Sequence, residues 1–223
     1  MIGPPDEEQP GVYEGVEFDG LDDRDSGRVI QNLDLHRCSF ANCTLSAGFD
    51  PRKRTIVRRV RVSNCRIPSR FGLMGAPILD GVTVTDLCCG QILILWGTAF
   101  RRVVLKGRMP SMNLNEKTVF GCITAEHAQR FVEANRKFYE DIDWAIDIAE
   151  AEFGSVRLSS IPGQLIRRDP ATQVLLKRSR LVGREWTALA LPRITQVAIE
   201  QVLARQRTRT PSYRGGKAEQ DIC

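Results

Sequence analysis

Apolar residues in the N-terminal half of the chain recur in pairs that return every five residues. Between positions 33 and 45 the apolar positions are Leu33, Leu35, Cys38, Phe40, Cys43 and Leu45. An α-helix repeats its apolar positions every 3.6 residues and a half-buried strand every two, so neither element sustains this pattern. The spacing predicts short strands separated by regular corners.

The same pattern returns at constant offsets, which indicates an internal repeat. It recurs after 27 residues and again after a further 22, and every equivalent position is apolar. The resulting apolar ladder consists of Leu33, Leu35, Cys38 and Phe40, then Val60, Val62, Cys65 and Ile67, then Val82, Val84, Leu87 and Cys89. Shorter matches occur at Val103 and Leu105 and, upstream, at Val16, Phe18 and Leu21. We expect Leu35, Val62 and Val84 to be buried neighbours on adjacent strands.

The ladder resembles the pentapeptide-repeat family over residues 16–105. In that family a central Leu or Phe and a small residue two positions earlier point inward, and the resemblance implies coils stacked as a right-handed square solenoid. The central position is matched by Leu35, Phe40, Leu45, Val62 and Ile67, and the small position by Cys38, Cys43, Val60 and Cys65. The coil length varies here, and the run from Ser46 to Ile56 is expected to be an extruded loop. A right-handed β-helix with irregular coils and an ordinary antiparallel β-domain are the alternatives, since period-two fragments suit both.

Charged residues beside the ladder follow the same register. The offsets place Asp34 next to Arg61, and they stack Arg58, Asp80 and Arg101 as a column of alternating sign. Exposed pairs of this kind contribute only about 0 to 1 kcal/mol each. They therefore support the alignment of the repeats more than the stability of the fold.

A long amphipathic helix is predicted after the last repeat, from Thr124 as the N-cap to Glu152. Its apolar stripe would contain Phe131, Phe138, Ile142, Ala145, Ala149 and Phe153, at spacings of three, four or seven residues. The last coil of a solenoid exposes an open core and unpaired strand edges. We therefore expect the stripe to cover that end of the stack.

The predicted organisation is a right-handed parallel β-solenoid followed by an α-helical or α+β C-terminal part. The expected boundaries are a flexible N-terminus at 1–14, the solenoid at 15–123, the C-terminal domain at 124–205 and a disordered basic tail at 206–223. Within the C-terminal domain we expect short strands at 156–158 and 174–177, and a second helix that begins with Pro192.

The composition is that of a folded globular protein, with 42% hydrophobic and 26% charged residues and a net charge of +5. The N-terminus lacks the basic and apolar regions of a signal peptide, and no apolar run could span a bilayer, so we expect a cytoplasmic, bacterial protein with no membrane partner. Six of the seven cysteines lie within apolar patterns: Cys38, Cys43, Cys65, Cys88, Cys89 and Cys122. We expect them to fill the core as free thiols, and their spacing does not predict a zinc site.

Few residues could carry catalysis. The two histidines are His36, expected to point outward from a solenoid corner, and His127, in the first helical turn. Because Cys38 is expected to point inward, His36 and Cys38 would not form a catalytic pair. The acidic run Glu140, Asp141, Asp143, Asp147, Glu150 and Glu152 is interpreted as a solvated helix face, with partner docking as its other use. We therefore expect no catalytic, metal or cofactor site and no enzymatic activity.

Basic clusters supply the candidate interaction residues. They are Arg52, Lys53 and Arg54 in the extruded loop, and Arg58, Arg59, Arg101 and Arg102 on one edge of the stack. We expect a protein-binding module of immunity, adaptor or scaffold type that uses a rigid solenoid surface. Nucleic-acid binding through the arginine edge is the alternative, although aromatic residues for base stacking are not interleaved there. A carbohydrate-active β-helix enzyme is the third hypothesis, but no suitable cluster of carboxylates is visible on one face.

Overall fold

Parallel β-strands are the main secondary structure of the described chain, and helices are few. A computed structural model describes residues 11–68, 73–115, 124–173, 176–183, 185–186, 189–204 and 221–222. Within these residues the strands form three parallel sheets and one short antiparallel pair. The β-rich part of the predicted fold class is therefore confirmed, and its strands are parallel.

Successive strands of the chain are distributed over the different sheets. The first sheet contains β1 (Gly11–Glu14), β3 (Val29–His36), β5 (Ile56–Ser63), β8 (Ile78–Asp80), β9 (Thr83–Thr85), β12 (Ala99–Arg101), β13 (Val103–Met109), β15 (Ile146–Phe153) and β17 (Ile166–Arg167). The second contains β2 (Glu17–Asp19), β4 (Ser39–Ala41), β6 (Arg66–Ile67) and β10 (Cys88–Cys89). The third contains β7 (Leu73–Met74), β11 (Leu93–Trp96), β14 (Met112–Asn115) and β16 (Val156–Leu158). The antiparallel pair is β18 (Leu176–Lys177) with β19 (Asp221–Ile222).

Helical segments interrupt or follow these strands. The α-helices are α1 (Ala125–Glu140), α2 (Arg178–Leu181) and α3 (Arg193–Ala204), and short 3₁₀ turns occur at Pro51–Lys53 and Gly163–Leu165. None of the described helices has both the length and the apolar character needed to cross a membrane.

The strand register confirms the predicted apolar ladder. Leu33 lies opposite Val60 and Leu35 lies opposite Val62 on β3 and β5, and Val62 lies opposite Val84 on β9. The side chain of Leu35 is buried, whereas Val62 and Val84 are partly buried and pack against the core. These ladder positions therefore recur one strand further along the first sheet, and Ile67 lies opposite Cys89 in the second.

Corners of the chain, some between strands and some within them, use the left-handed backbone conformation. One column of stacked corners contains Asn32, Arg59, Gly81 and Arg102, with φ angles between 51° and 64°. A second column contains Gly15, Arg37, Asn64, Asp86 and Gly107, with φ angles between 52° and 64°. Glycine, asparagine and aspartate enter this region far more readily than other residues do. The three arginines in these columns are therefore exceptions, and two of them share the first column.

The five described cysteines are all free thiols. Cys38 and Cys65 fill the core on adjacent turns of the chain, as predicted, and burial raises the pKa of the Cys65 thiol. Cys88 is a correction, because its side chain is exposed and the neighbouring Cys89 takes the inward position of the ladder. The predictions for Cys122 and Cys223 lie outside the described residues.

The length of the first helix is the main correction to the predicted fold. As predicted, Thr124 is the N-cap and its hydroxyl accepts a hydrogen bond from the backbone N–H of His127, but α1 ends at Glu140 instead of Glu152. The segment that follows forms β15, in which Ile146 and Ile148 are buried. Alternating β-branched residues favour a strand, whereas the predicted helical stripe relied here on alanines, which specify neither period.

The buried face of the helix α1 consists of residues four apart, Phe131, Asn135 and Tyr139. Phe131 belongs to the predicted stripe, whereas Asn135 and Tyr139 were not predicted. The Asn135 side-chain amide donates to the Gly97 carbonyl at 3.0 Å, and the Tyr139 hydroxyl accepts from the backbone N–H of Phe100 at 3.2 Å. Burial raises the pKa of Tyr139. Because β12 pairs only with β8 among the described strands, α1 covers an edge of the sheet, and Phe131 is the predicted residue that takes part.

Parallel pairing extends beyond both predicted ends of the repeat. Residues 11–14, expected to be flexible, form β1, in which Tyr13 lies opposite Leu35 and packs against the core. At the other end β15, β16 and β17 continue the first and third sheets as far as Arg167. The sheets therefore cross the boundary expected at residues 123 and 124.

The remaining predictions for the C-terminal part are confirmed only in part. The strand at 156–158 is β16, and α3 begins directly after Pro192. Of the strand expected at 174–177, only Leu176–Lys177 is described. The predicted tail at 206–223 lies outside the described residues, except for β19.

Candidate functional site

Four of the seven candidate basic residues surround one open cleft of about 620 Å³. Its lining consists of Arg58, Arg59, Asp80, Gly81, Arg101, Arg102, Asp141, Ile142 and Asp143. Four arginines meet three aspartates, so the cleft carries a small excess of positive charge. The arginine edge predicted from the repeat is thus a concave, mixed-charge surface.

Two adjacent columns of the first sheet build this cleft. Asp80 lies opposite Arg58 on one side and opposite Arg101 on the other. The next position of each turn is a left-handed corner, occupied by Arg59, Gly81 and Arg102 in successive turns. Because parallel strands stack about 4.8 Å apart, the fold fixes the spacing of these side chains.

Asp80 neutralises two of the four arginines, as the predicted charge column requires. Its carboxylate accepts from Arg58 Nε at 3.0 Å and from Arg101 Nε at 2.8 Å, with a further contact to Arg101 Nη2. The side chain of Asp80 is 13% exposed. Hydrogen bonding from Arg101, followed by its charge and the contacts of Arg58, lowers the pKa of Asp80, and Asp80 raises the pKa of Arg101.

Replacing Asp80 with asparagine is expected to destabilise the protein by about 1 to 2 kcal/mol at pH 7, because it leaves two stacked arginines without their shared counter-charge. The pKa of Asp80 is lowered by folding, so its contribution is complete above the ordinary carboxyl value of 3.8 and is lost as the pH falls through the lower folded value. Urea unfolding of parent and Asp80→Asn between pH 7 and pH 2 measures this difference. A gap that stays constant at acid pH would contradict the assignment, and Asp141→Asn is the control from the same cleft.

Arg59 and Arg102 lie on either side of Gly81 and contact different kinds of partner. Arg59 donates to neutral amides, to Asn32 Oδ1 at 2.7 Å and to Gln31 Oε1 at 3.4 Å. Arg102 donates through Nε and Nη2 to Asp143, both at 3.3 Å, and lowers the pKa of that carboxyl. Both arginine side chains are exposed, so the two guanidinium groups are accessible from the solvent.

The other candidate basic residues do not line the cleft. Arg52 and Lys53 are exposed on the 3₁₀ turn, where Arg52 pairs with Asp50 and lowers the pKa of that carboxyl to about 2. Arg54 is a correction, because it is only 5% exposed and is not part of an interaction surface. The loop expected to be extruded folds back at this point and inserts Arg54 beneath α1.

The contacts of Arg54 explain its burial. Its guanidinium donates to the carbonyls of Ala76 and Gly97, which are equivalent positions on two successive turns, and it lies 5.5 Å from the ring centre of Phe131. Burial lowers the pKa of Arg54 to about 10. No carboxylate of the described residues pairs with it, so this cation is held by carbonyl dipoles and an aromatic face.

Sequence reasoning missed Gly81, Asp141 and Asp143 as parts of the site. Asp141 and Asp143 were assigned to a continuous helix, whereas they follow the end of α1 and face the arginine columns. The useful signal was the alternation of Ile146 and Ile148, which places a strand there and therefore ends the helix earlier. Gly81 could have been found by noting that it aligns with Arg59 and Arg102 in the repeat.

In the described part of the chain, the histidines and acidic residues form no further cluster that resembles a catalytic or metal site. His36 bonds through Nδ1 to Ser63 Oγ at 2.8 Å, whereas the buried Cys38 thiol contacts the backbone carbonyls of Tyr13 and His36. No group of three or more His, Cys, Asp or Glu side chains among the described residues is placed to hold a metal ion.

Comparison with known proteins gives no match to a family model, a curated protein or a solved structure. The functional proposal therefore rests on the geometry of the cleft.

Proposed function

We propose that this chain is a non-enzymatic protein-binding module, of immunity, adaptor or scaffold type, that uses the arginine cleft to bind an acidic segment of one partner. The observation that carries the proposal is the convergence of Arg58, Arg59, Arg101 and Arg102 on one open cleft. Parallel strands fix their spacing before binding, which lowers the ordering cost of association.

The framework of this module is proposed to be a right-handed parallel β-solenoid related in design to pentapeptide repeats. Three features support that proposal: the chain returns to the first sheet each time it has passed through the second or third, pairing is parallel throughout the three large sheets, and ladder positions recur at offsets of 27, 22 and 21 residues. The stacked left-handed corners are the points at which such a coil changes direction. A coil of this kind presents its outward side chains on a rigid surface.

A protein partner suits the cleft better than nucleic acid does. Asp80, Asp141 and Asp143 line the same surface as the arginines and would repel a continuous phosphate backbone. The aromatic residues next to the cleft residues in sequence are poorly placed for stacking on a base, because Phe100 is buried and Arg167 already occupies one face of the Trp144 ring, 4.1 Å from its centre. A protein partner can match both signs of charge in the cleft. An acidic side chain of the partner would bind between the arginines, and its basic side chains would pair with the aspartates.

Site-specific photo-crosslinking in the native cell tests the proposal. A photoreactive phenylalanine analogue at Asp141, exposed in the cleft, is expected to give one discrete protein adduct that survives nuclease treatment. The matched control is the same analogue at Glu17, which is exposed on β2 in the second sheet. A nuclease-sensitive adduct would favour the nucleic-acid alternative, and identical adducts from both positions would contradict the cleft as the binding surface.

A further inference from the structure

Arg59 and Arg102 both lie at corners with positive φ, a backbone conformation that disfavours arginine. Their φ angles are 51° and 53°, and the same corner column is occupied by asparagine at Asn32 and glycine at Gly81. These two residue types enter the left-handed region with little strain, whereas a long side chain is disfavoured there. The turn alone would favour Asn or Gly at both positions, so the arginines occupy them at a cost to the backbone. Arg37 has the same conformation in the second column, but only Arg59 and Arg102 also line the cleft, and strained residues at such a place are candidates for a function.

The corner between these arginines is open. Gly81 carries no side chain, and a Cβ placed on it would find its nearest neighbour, the Arg59 backbone nitrogen, 4.0 Å away. Arg59 and Arg102 are two strands apart, which separates their backbones by roughly 10 Å. Arg59 extends towards Asn32 and Arg102 extends towards Asp143, so neither side chain fills the space above Gly81.

We infer that the space above Gly81 is the seat of a carboxylate side chain of the protein partner, and that Arg59 and Arg102 bind this carboxylate from its two sides. The inference rests on the proposed function and names its ligand chemistry. An aspartate or glutamate of the partner would replace the neutral amides as the acceptor for Arg59, and charge-assisted hydrogen bonds are the stronger kind. Arg58 and Arg101 are already committed to Asp80 and complete the wall of the cleft.

The contacts of Asp143 show that a carboxylate suits this part of the cleft. Its carboxylate already accepts two N–H groups of Arg102, at 3.3 Å, in an exposed position. These contacts are longer than the usual 2.7 to 2.9 Å of an arginine–carboxylate pair. A partner carboxylate above Gly81 can therefore compete for Arg102 without displacing a buried ion pair.

Corner-preserving substitutions test the seat. Arg59→Asn and Arg102→Asn remove one guanidinium each and retain a residue type that the column already accommodates at Asn32. Gly81→Asn fills the seat with a side chain and also retains a residue suited to positive φ. Arg37→Asn and Gly15→Asn make the same two changes in the second corner column, away from the cleft, and serve as matched controls.

The assay is fluorescence anisotropy at low ionic strength with a fluorescein-labelled hexaglutamate peptide, compared with a hexaglutamine peptide and a labelled single-stranded DNA oligonucleotide. The parent is expected to prefer hexaglutamate, and Arg59→Asn, Arg102→Asn and Gly81→Asn are each expected to weaken that binding about tenfold. The two control variants should bind as the parent does. Thermal melts should show Arg59→Asn and Arg102→Asn to be at least as stable as the parent, a result that a structural role for these arginines would not give.

The inference is overturned if hexaglutamate binds equally to parent and cleft variants, if the parent does not bind it, or if the oligonucleotide binds more tightly. These failures are distinguishable from failure of the proposed function. A protein adduct from the analogue at Asp141 would uphold protein binding at the cleft even if the carboxylate seat above Gly81 were wrong.

Discussion

Replacing Arg54 with alanine is expected to destabilise the protein by about 2 to 5 kcal/mol, among the largest effects for any single charged residue of the described chain. The substitution leaves the carbonyl of Ala76 without its guanidinium donor and removes one of the two donors to the carbonyl of Gly97. It also removes the contact with the ring of Phe131 and leaves a void beneath α1. An unsatisfied buried polar group costs about 1 to 3 kcal/mol, and a desolvated cation–aromatic contact adds up to about 2.

Urea unfolding followed by far-UV circular dichroism measures the effect of Arg54→Ala. Arg52→Ala is the matched control, because Arg52 lies two residues earlier on the same turn and its side chain is 88% exposed. The control is expected to unfold with the parent. Unfolding of Arg54→Ala at the same urea concentration as Arg52→Ala would show that the buried guanidinium does not hold the turns together.

Replacing Phe131 with alanine is expected to destabilise the protein by about 3 to 5 kcal/mol, the range for truncating a buried phenylalanine. Its side chain is 1% exposed, and it belongs to the face on which α1 covers β12. Loss of the ring opens a cavity beside Arg54 and weakens the docking of the whole helix. Hydrogen exchange should therefore show reduced protection across α1, and urea unfolding gives the magnitude.

Phe138→Ala is the control for this experiment, since Phe138 lies on the same helix but is only partly buried. A smaller loss is expected, because part of its ring already contacts water. Equal losses for the two variants would show that Phe138 contributes as much to the packing of α1 as the buried Phe131 does. Because Arg54 and Phe131 touch, the double variant should lose less than the sum of the two single variants.

The ladder could be predicted from the sequence because it depends on spacing alone. Two apolar positions every five residues, repeated at constant offsets, specify which side chains are equivalent before any contact is known. The strand register bears this out from Leu33 to Val84, including the charge column at Asp80. Stacked parallel strands turn a sequence offset directly into a neighbour in space.

The end of α1 could not be predicted from the same kind of pattern. Ala145 and Ala149 fitted a helical stripe because alanine is small and apolar in any element, whereas the decisive residues were Ile146 and Ile148. The misplaced boundary also hid the role of Asp143, which belongs to the cleft only if the helix has already ended. An error in one element was therefore carried into the candidate site.

Arg54 could not be assigned from sequence because its neighbours resemble a solvated loop. Arg52, Lys53 and Arg54 are consecutive basic residues, and such a cluster is normally exposed. Arg54 is buried because of tertiary contacts, since the carbonyls of Ala76 and Gly97 and the ring of Phe131 come from distant segments. Nothing local distinguishes the buried arginine from the two exposed ones.

Because the corners are stacked, the arginines of the cleft are separated by whole numbers of strand spacings. The distance between Arg59 and Arg102 is two strand spacings, and it cannot be adjusted by a fraction of one. Extra residues are accommodated locally in this chain: a register shift between Val104 and Lys106 takes up an additional residue of β15, and β5 keeps its register with β3 at an offset of 27 residues instead of 22. Ligands of different size would therefore have to be accommodated by the exposed side chains of Arg59 and Arg102, and not by the spacing of the strands that carry them.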